Sequence, residues 1–301
     1  MSLMDYNEFI QREFVPEMVD TVVYKKLEPM VQLFGQRPNQ DGDRITSKYR
    51  LGHSSNAAFY DKSDVNPAPS SQTLAKPYWT KVFSHASTEV HGIDISNASS
   101  SNLGLVADAL MKETEALMDL NVGGVYAQWL KDVDSSSTAY SDNSLSRSTY
   151  PLLVSYEETS DAAITLAYFR AMVTGVTAGK SVNKGDYVCF MEQAVYDKFR
   201  PLAAAVNSWT NTVVANTRQD TGYPEIGNFE GIAILDPASI PTMTTGTVFM
   251  LRKQDVAIVP HRLLEITEVS SGRDSIEYVL RMGLNSYVDN PYLNGKMLTK
   301  D

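Results

Sequence analysis

Two strand-like stretches separated by a long polar interval constrain this chain more than any other feature. Residues Ile45 to Leu51 alternate cleanly, with Ile45, Tyr49 and Leu51 on one side and Thr46, Lys48 and Arg50 on the other. A second stretch, Tyr78 to Ile95, is rich in β-branched and aromatic residues, among them Trp79, Val82, Phe83, Val90 and Ile93. Between them, residues 52–77 are polar and carry Pro67 and Pro69. A connection that long is unusual inside a compact domain and is expected to be functional. The pattern reads as a two-stranded arm projecting from the body. An isolated two-stranded ribbon is barely stable in water, so such an arm needs another surface to lie on. That surface implies a partner.

The elements around the arm are more conventional. Residues 15–34 have apolar positions Val19, Val23, Leu27, Met30 and Phe34 at helical spacing, with Pro16 suited to the first turn and Pro29 expected to end or kink the helix. The clearest helix runs from the caps Ser99, Ser100 and Ser101 to Lys131 along a stripe of Leu103, Val106, Leu110, Leu117 and Leu120. Asp108 lies four residues before Lys112 on its polar side, and Gly123-Gly124 weakens it before Val125, Tyr126, Trp129 and Leu130 resume the pattern. At 1.5 Å per residue it spans roughly 45 Å, enough to brace a whole domain. Residues 132–149 have loop composition. Beyond them the pattern is mixed. A helix is expected over 159–173, a buried strand over Tyr187 to Met191, and a helix through Tyr196 and Phe199. A strand ending at Leu235 follows, then a β-rich last quarter over 247–251, 256–259, 263–269 and 276–287.

Composition narrows the functional classes. The formal net charge of -10 disfavours phosphate, so tight nucleic-acid binding across the whole surface is not expected. The single cysteine, Cys189, sits among Tyr187, Val188 and Phe190 and reads as core, not as an activated thiolate. Met1 to Phe14 carries Asp5, Glu8 and Glu13 and no apolar run, unlike a secretory signal. No run of 18 apolar residues marks a membrane helix. A soluble protein made in the cytosol is expected.

Candidate chemistry is sparse. Gly175-Val-Thr-Ala-Gly179-Lys180-Ser181 imitates a phosphate loop, but it has three residues between its glycines where four are needed, and it follows a helix. His85, Glu89 and His91 would share one strand face, but polar positions on an exposed strand face are the commoner explanation, by about ten to one over metal ligation. The pairs Glu113/Glu115, Asp132/Asp134 and Glu157/Glu158 read as helix-surface, loop or first-turn charges. No catalytic, cofactor or metal residues are assigned.

Three stretches and the order of elements carry a family resemblance. The stretches are Gly42-Asp43-Arg44-Ile45-Thr46-Ser47-Lys48, the run Asn228 to Pro237, and the strands Val248 to Arg252, Asp255 to Val259 and Ile276 to Leu284. In this order the chain resembles the HK97-fold major capsid proteins of tailed bacteriophages over essentially its whole length. The resemblance implies an α+β fold: an N-terminal arm (1–41), an extended β-hairpin loop (42–94), a peripheral domain with a long spine helix (95–151), an axial domain (152–245) and return strands of the peripheral domain (246–301). It further implies a structural coat protein that self-assembles as a homo-oligomer of pentamers and hexamers into an icosahedral shell around DNA, without sequence-specific DNA binding. Assembly in the host cytoplasm, a virion location, a portal and a separate scaffolding protein (or none) complete the expectation. Residues expected at inter-subunit contacts are Phe59, Tyr78 and Trp79 in the loop, and Arg218 and Asp220 in the polar Asn207 to Pro224 segment. Lys62 and Lys76 lie in the loop, but nothing around them marks an isopeptide partner. Two alternatives stay open: an encapsulin-type nanocompartment with enzyme cargo, and a cytosolic α/β enzyme using the Gly175–Ser181 turn or the His85/His91 pair.

Overall fold

The computed structural model describes residues 19–50, 74–91, 100–134, 139–140, 145–150, 152, 154–159, 162–205, 209–210, 225–235, 243, 245–270 and 275–300. A π-helical segment, Val19–Tyr24, runs into α1 (Lys25–Phe34). The short strands β1 (Arg44–Thr46), β2 (Tyr49–Arg50), β3 (Leu74–Ala75) and β4 (Tyr78–Thr80) follow, then β5 (Ser84–His91) and the long helix α2 (Ser100–Asp132). Next come β6 (Ala139–Tyr140), β7 (Leu145–Ser146), β8 (Tyr156–Thr159), α3 (Leu166–Thr177), β9 (Tyr187–Met191) and α4 (Gln193–Ala205). The chain closes with β10 (Trp209–Thr210), β11 (Glu225–Phe229), β12 (Ile232–Leu235), β13 (Thr247–Arg252), β14 (Val256–Ser270), β15 (Ser275–Val288) and β16 (Gly295–Leu298). The class is α+β, as expected.

Two sheets organise the body. One is a three-stranded antiparallel sheet in the order β14–β15–β5, with α2 lying across it. The other has seven strands in the order β10–β11–β12–β9–β13–β16–β8, with parallel pairs β12/β9 and β16/β8. Its central strands are buried on both faces, which is why they read as unbroken apolar runs. In β9 the alternation sends Tyr187, Cys189 and Met191 toward α3 and α4, and Val188 and Phe190 toward α1 and α2. In β13, Val248 and Met250 face the first side, and Phe249 and Leu251 the second. The seven-stranded sheet is thus the partition between the two main cores.

Helix α2 has 33 residues, about 50 Å at 1.5 Å per residue, and runs unbroken through Gly123 and Gly124. Leu110, Leu117, Val122, Val125 and Trp129 line its buried face, and Asn121 and Trp129 tie it to the sheet through Ser84 and Ser286, each at 2.7 Å. The Asp108–Lys112 pair forms as expected, at 2.7 Å. Leu120 does not join the core. It is 63% exposed, because two residues from Val122 is roughly 200° around a helix of 3.6 residues per turn. The side chains of Leu103 and Val106 lie outside the described residues.

Several other expectations are corrected. The helix expected over 159–173 begins at Leu166, where Thr165 accepts a hydrogen bond from the Tyr168 N–H, and residues 156–159 pair instead as β8. The stripe of the first helix holds, with Val23, Leu27, Met30 and Phe34 buried, but α1 continues through position 29. Pro29 offers no N–H to the carbonyl of Lys25, and the ladder takes π-helical spacing just upstream instead of stopping. The strands expected over 256–259 and 263–269 form one strand, bulged near Pro260. Within the last segment, β13 and β16 join the seven-stranded sheet, whereas β14 and β15 pair in the three-stranded sheet with β5.

Candidate functional site

The two-stranded ribbon is rooted where α2, β14 and β15 meet. Pairing of β1 with β4 and of β2 with β3 is antiparallel, with Ile45 opposite Trp79. Ile45 and Trp79 face inward and are 1% and 2% exposed, packed with Tyr140, Ala257, Val259 and Tyr287. The Trp79 ring stacks on Tyr287 and meets Tyr140 edge-on, with centroids 5.7 Å apart. Polar bonds close the base. Arg37 donates to the Tyr287 hydroxyl at 3.0 Å and to Asp289 at 3.1 Å, and the Ser47 hydroxyl also reaches Asp289. The Asn285 side chain accepts from the Val82 N–H at 3.0 Å and donates to the Thr80 carbonyl at 3.1 Å.

Beneath Trp79 lies a buried charge. Asp132 accepts hydrogen bonds from the Trp79 indole (3.3 Å), the Gln128 amide (2.8 Å) and the Val288 N–H (3.0 Å). Burial pushes its carboxyl up to about 7, although these donors and the neighbouring Arg147 pull the other way. Arg147, 3% exposed, donates to the carbonyls of Lys131, Asp132 and Ala139, and so satisfies orphan acceptors at the end of α2 with a cation where the helix dipole is negative. Asp132 and Asp134 are therefore not solvated loop charges. Asp134 and Glu157 both grip Lys296, 3% exposed, at 3.1 and 3.2 Å, joining the end of α2 to β8 and β16. Sequence reasoning missed this cluster. A usable signal was an aspartate at the C-terminal end of a helix, where the dipole opposes it and a compensating partner is needed.

Beside the ribbon, a cleft of about 390 Å³ opens between the segment linking β4 to β5 and the outer side of α2. Val82, Phe83 and Leu120 line it at 60%, 56% and 63% exposure, above a floor that includes Val125 and Leu284. Large apolar groups exposed together are a mark of an interaction surface.

The expected contact residues separate. Tyr78 faces away from Trp79, half-buried, with the Arg44 guanidinium over its ring at 4.3 Å from the centroid. Trp79 is buried within its own chain, 2% exposed, against Tyr287 and Tyr140 and bonded to Asp132. Phe59, Arg218 and Asp220 lie outside the described residues, as does the arm tip expected within 52–77, apart from 74–77 at its end.

The decoys resolve into structure. Gly175 sits within α3, where a Cβ would collide with the Tyr156 ring, and Gly179 and Ser181 have φ of 70° and 51° in a turn. Lys180 donates to the Tyr292 carbonyl at 2.6 Å. Glu89 accepts from the Ser275 hydroxyl at 2.5 Å. Burial pushes the Cys189 thiol up, as fits inert packing. Among the described residues, no three metal-ligating side chains come together, and no helix is long and apolar enough to cross a membrane.

No family model matches the chain, and no curated protein matches it in sequence. Solved structures do. The capsid asymmetric unit of cyanophage A-1(L) superposes with a TM-score of 0.69 at 16% identity, covering 91% of this chain and 92% of that one. The chain shares the fold of that phage capsid structure. A structure from Mycobacterium phage Bobi superposes at TM-score 0.57 and 11% identity, over 91% of this chain and 90% of its own. The capsid of a native GTA particle matches at 0.55 and 10%, over 90% and 89%. The fold is thus shared over about nine-tenths of the chain with little shared sequence.

Proposed function

We propose that this chain is the major coat protein of a tailed phage, a structural subunit that self-assembles into pentamers and hexamers of an icosahedral shell around DNA. The observation that carries the proposal is end-to-end likeness to the cyanophage A-1(L) capsid subunit, which leaves no large part of either chain over. On this reading α2 is the spine helix, and with β5, β14 and β15 it makes the peripheral domain. The seven-stranded sheet with α3 and α4 is the axial domain and takes in β13 and β16. The ribbon β1–β4 is the base of the extended loop.

Shell building needs heterologous contacts, one patch meeting a different patch on the next copy, so that the rotation closes a ring. The ribbon leaves the body on a rigid root and supplies one such patch, with Tyr78 on its outer face. Val82, Phe83 and Leu120, exposed around the cleft, supply another. Phe59, Arg218 and Asp220 are proposed contacts in the segments outside the described residues. No catalytic step is assigned. A portal and a separate scaffolding protein are proposed partners, with assembly in the host cytoplasm and final residence in the virion. Electron microscopy of the purified protein tests the proposal. Closed shells, rings or tubes are expected, and a strictly monomeric protein at every concentration and salt condition would overturn it.

A further inference from the structure

Asp132 joins three parts of the chain that are distant in sequence or lie on different elements. Its carboxyl, at the end of α2, is fully buried and accepts from the arm root (Trp79), from the preceding helical turn (Gln128) and from the end of β15 (Val288). Arg147 lies beside it with one terminal nitrogen lacking a hydrogen-bond partner, and its other guanidinium nitrogens donate to carbonyl oxygens. We propose that Asp132 is a proton-dependent pin for the arm, holding the Trp79 root closed when neutral and easing its opening when ionised. This rests on the reading of residues 44–50 and 74–80 as the base of an arm.

The chemistry is local. Three donors converge on a group that, once protonated, needs one acceptor. The Gln128 amide can supply it by turning its oxygen toward the acid proton, because its two ends are close in size and shape. The Trp79 N–H still finds a lone pair on the same carboxyl oxygen. Protonation removes a charge held away from water without breaking the root. The remaining ionisable groups around the site are few. Tyr140 and Tyr287 flank the Trp79 ring, Asp134 and Glu157 are bound to Lys296 beyond Arg147, and Asp289 is paired with Arg37.

The sign follows from linkage. In the closed root the carboxyl sits above the ordinary 3.8, and opening to water returns it toward that value. Protons therefore favour closure; the gain is absent above about pH 7 and grows as pH falls toward 4. A group titrating near 7 changes the closed-to-open ratio about tenfold between roughly pH 8 and pH 6.

The test uses the full-length chain with its three tryptophans labelled with ¹⁵N, the Trp79 indole signal being assigned by elimination with Trp129→Phe and Trp209→Phe. The expected result is a Trp79 signal that titrates with a midpoint near neutrality. Its opening constant, corrected for the intrinsic pH dependence of exchange, should rise about tenfold from pH 6 to pH 8. Asp132→Asn should abolish the titration, and Gln128→Ala, which keeps the carboxyl, should displace the midpoint. A flat Trp79 signal overturns the inference, and so does a titration that survives Asp132→Asn. Should Asp132→Asn fail to fold, an unchanged midpoint in Gln128→Ala overturns it equally. Shell formation does not enter this measurement, so failure of the pin and failure of the coat-protein reading give different results.

Discussion

Trp79 lies flat against Tyr287, with ring centroids 4.1 Å apart and planes 19° from parallel. The two residues are far apart in sequence, one at the base of the ribbon and one near the end of β15, so their stack fixes the direction in which the ribbon leaves the body. Together with the Asp132 bond, it makes the ribbon a lever on a rigid pivot, not a loose strap. The inward face of the ribbon is consumed in this way. The outward face carries Tyr78, half-buried under the Arg44 guanidinium.

Trp79→Ala removes the stack, the edge contact and the indole donor together. Truncating a buried aromatic costs about 3–5 kcal/mol. Trp79→Phe keeps part of the ring contact but loses the bond to Asp132, and should cost clearly less. Denaturant unfolding of the purified variants checks both the size and the order.

Lys296→Met leaves Asp134 and Glu157 facing each other without their shared cation. Breaking a buried pair from one side costs about 3–5 kcal/mol. Asp134 keeps 27% side-chain exposure and so some hydration, which places the expected loss at the lower end of that range. Restoring charge balance with Lys296→Met/Glu157→Gln should recover part of the loss in a double-mutant cycle.

Gly175→Ala sets a methyl group into the Tyr156 ring. Overpacking typically costs about 1–3 kcal/mol, against the roughly 1 kcal/mol that alanine gains over glycine inside a helix. A lowered melting temperature is expected. The same substitution in a working phosphate loop would register in nucleotide binding, and here a nucleotide titration should show none in either form.

Stability should fall as pH rises from about 4 to 7. Asp132 and Asp255 are raised by burial, to about 7 and about 6, so the folded chain holds protons there that the unfolded chain has released. His261, lowered by burial, acts in the opposite sense over part of the window, one group against two. Melting temperatures across this range should decline in the wild type and decline less in Asp132→Asn.

Much of this fold is legible in the residues because each buried segment has a single dominant pattern. Tyr187 to Met191 reads as a strand because all five positions are apolar, and the structure supplies a core for each face. The arm base is legible in the alternation around Ile45. What the residues hide is how faces are allotted. Leu120 looks like core by composition but falls on the wrong side of α2. Trp79 looks like a docking aromatic but is claimed by Tyr287 and Asp132. Polar clusters are hidden for the same reason, since Asp132, Arg147 and Lys296 are buried only because distant segments converge on them. The helix starting at Leu166 is set by one capping threonine, a signal weaker than the apolar run that precedes it.

Leu120→Lys and Val82→Lys alter exposed positions around the cleft. Surface substitutions away from special features usually change stability by less than about 0.5 kcal/mol. Both variants should therefore melt like the wild type yet fail to assemble, as judged by sedimentation.

The most direct measurement images two proteins side by side, the wild type and a chain with residues 53–73 replaced by a short flexible linker. The wild type should give closed particles. The shortened chain should keep the same melting temperature and circular dichroism but remain as dispersed single subunits. Intact particles from the shortened chain would contradict the claim that the ribbon completes itself on a neighbouring copy.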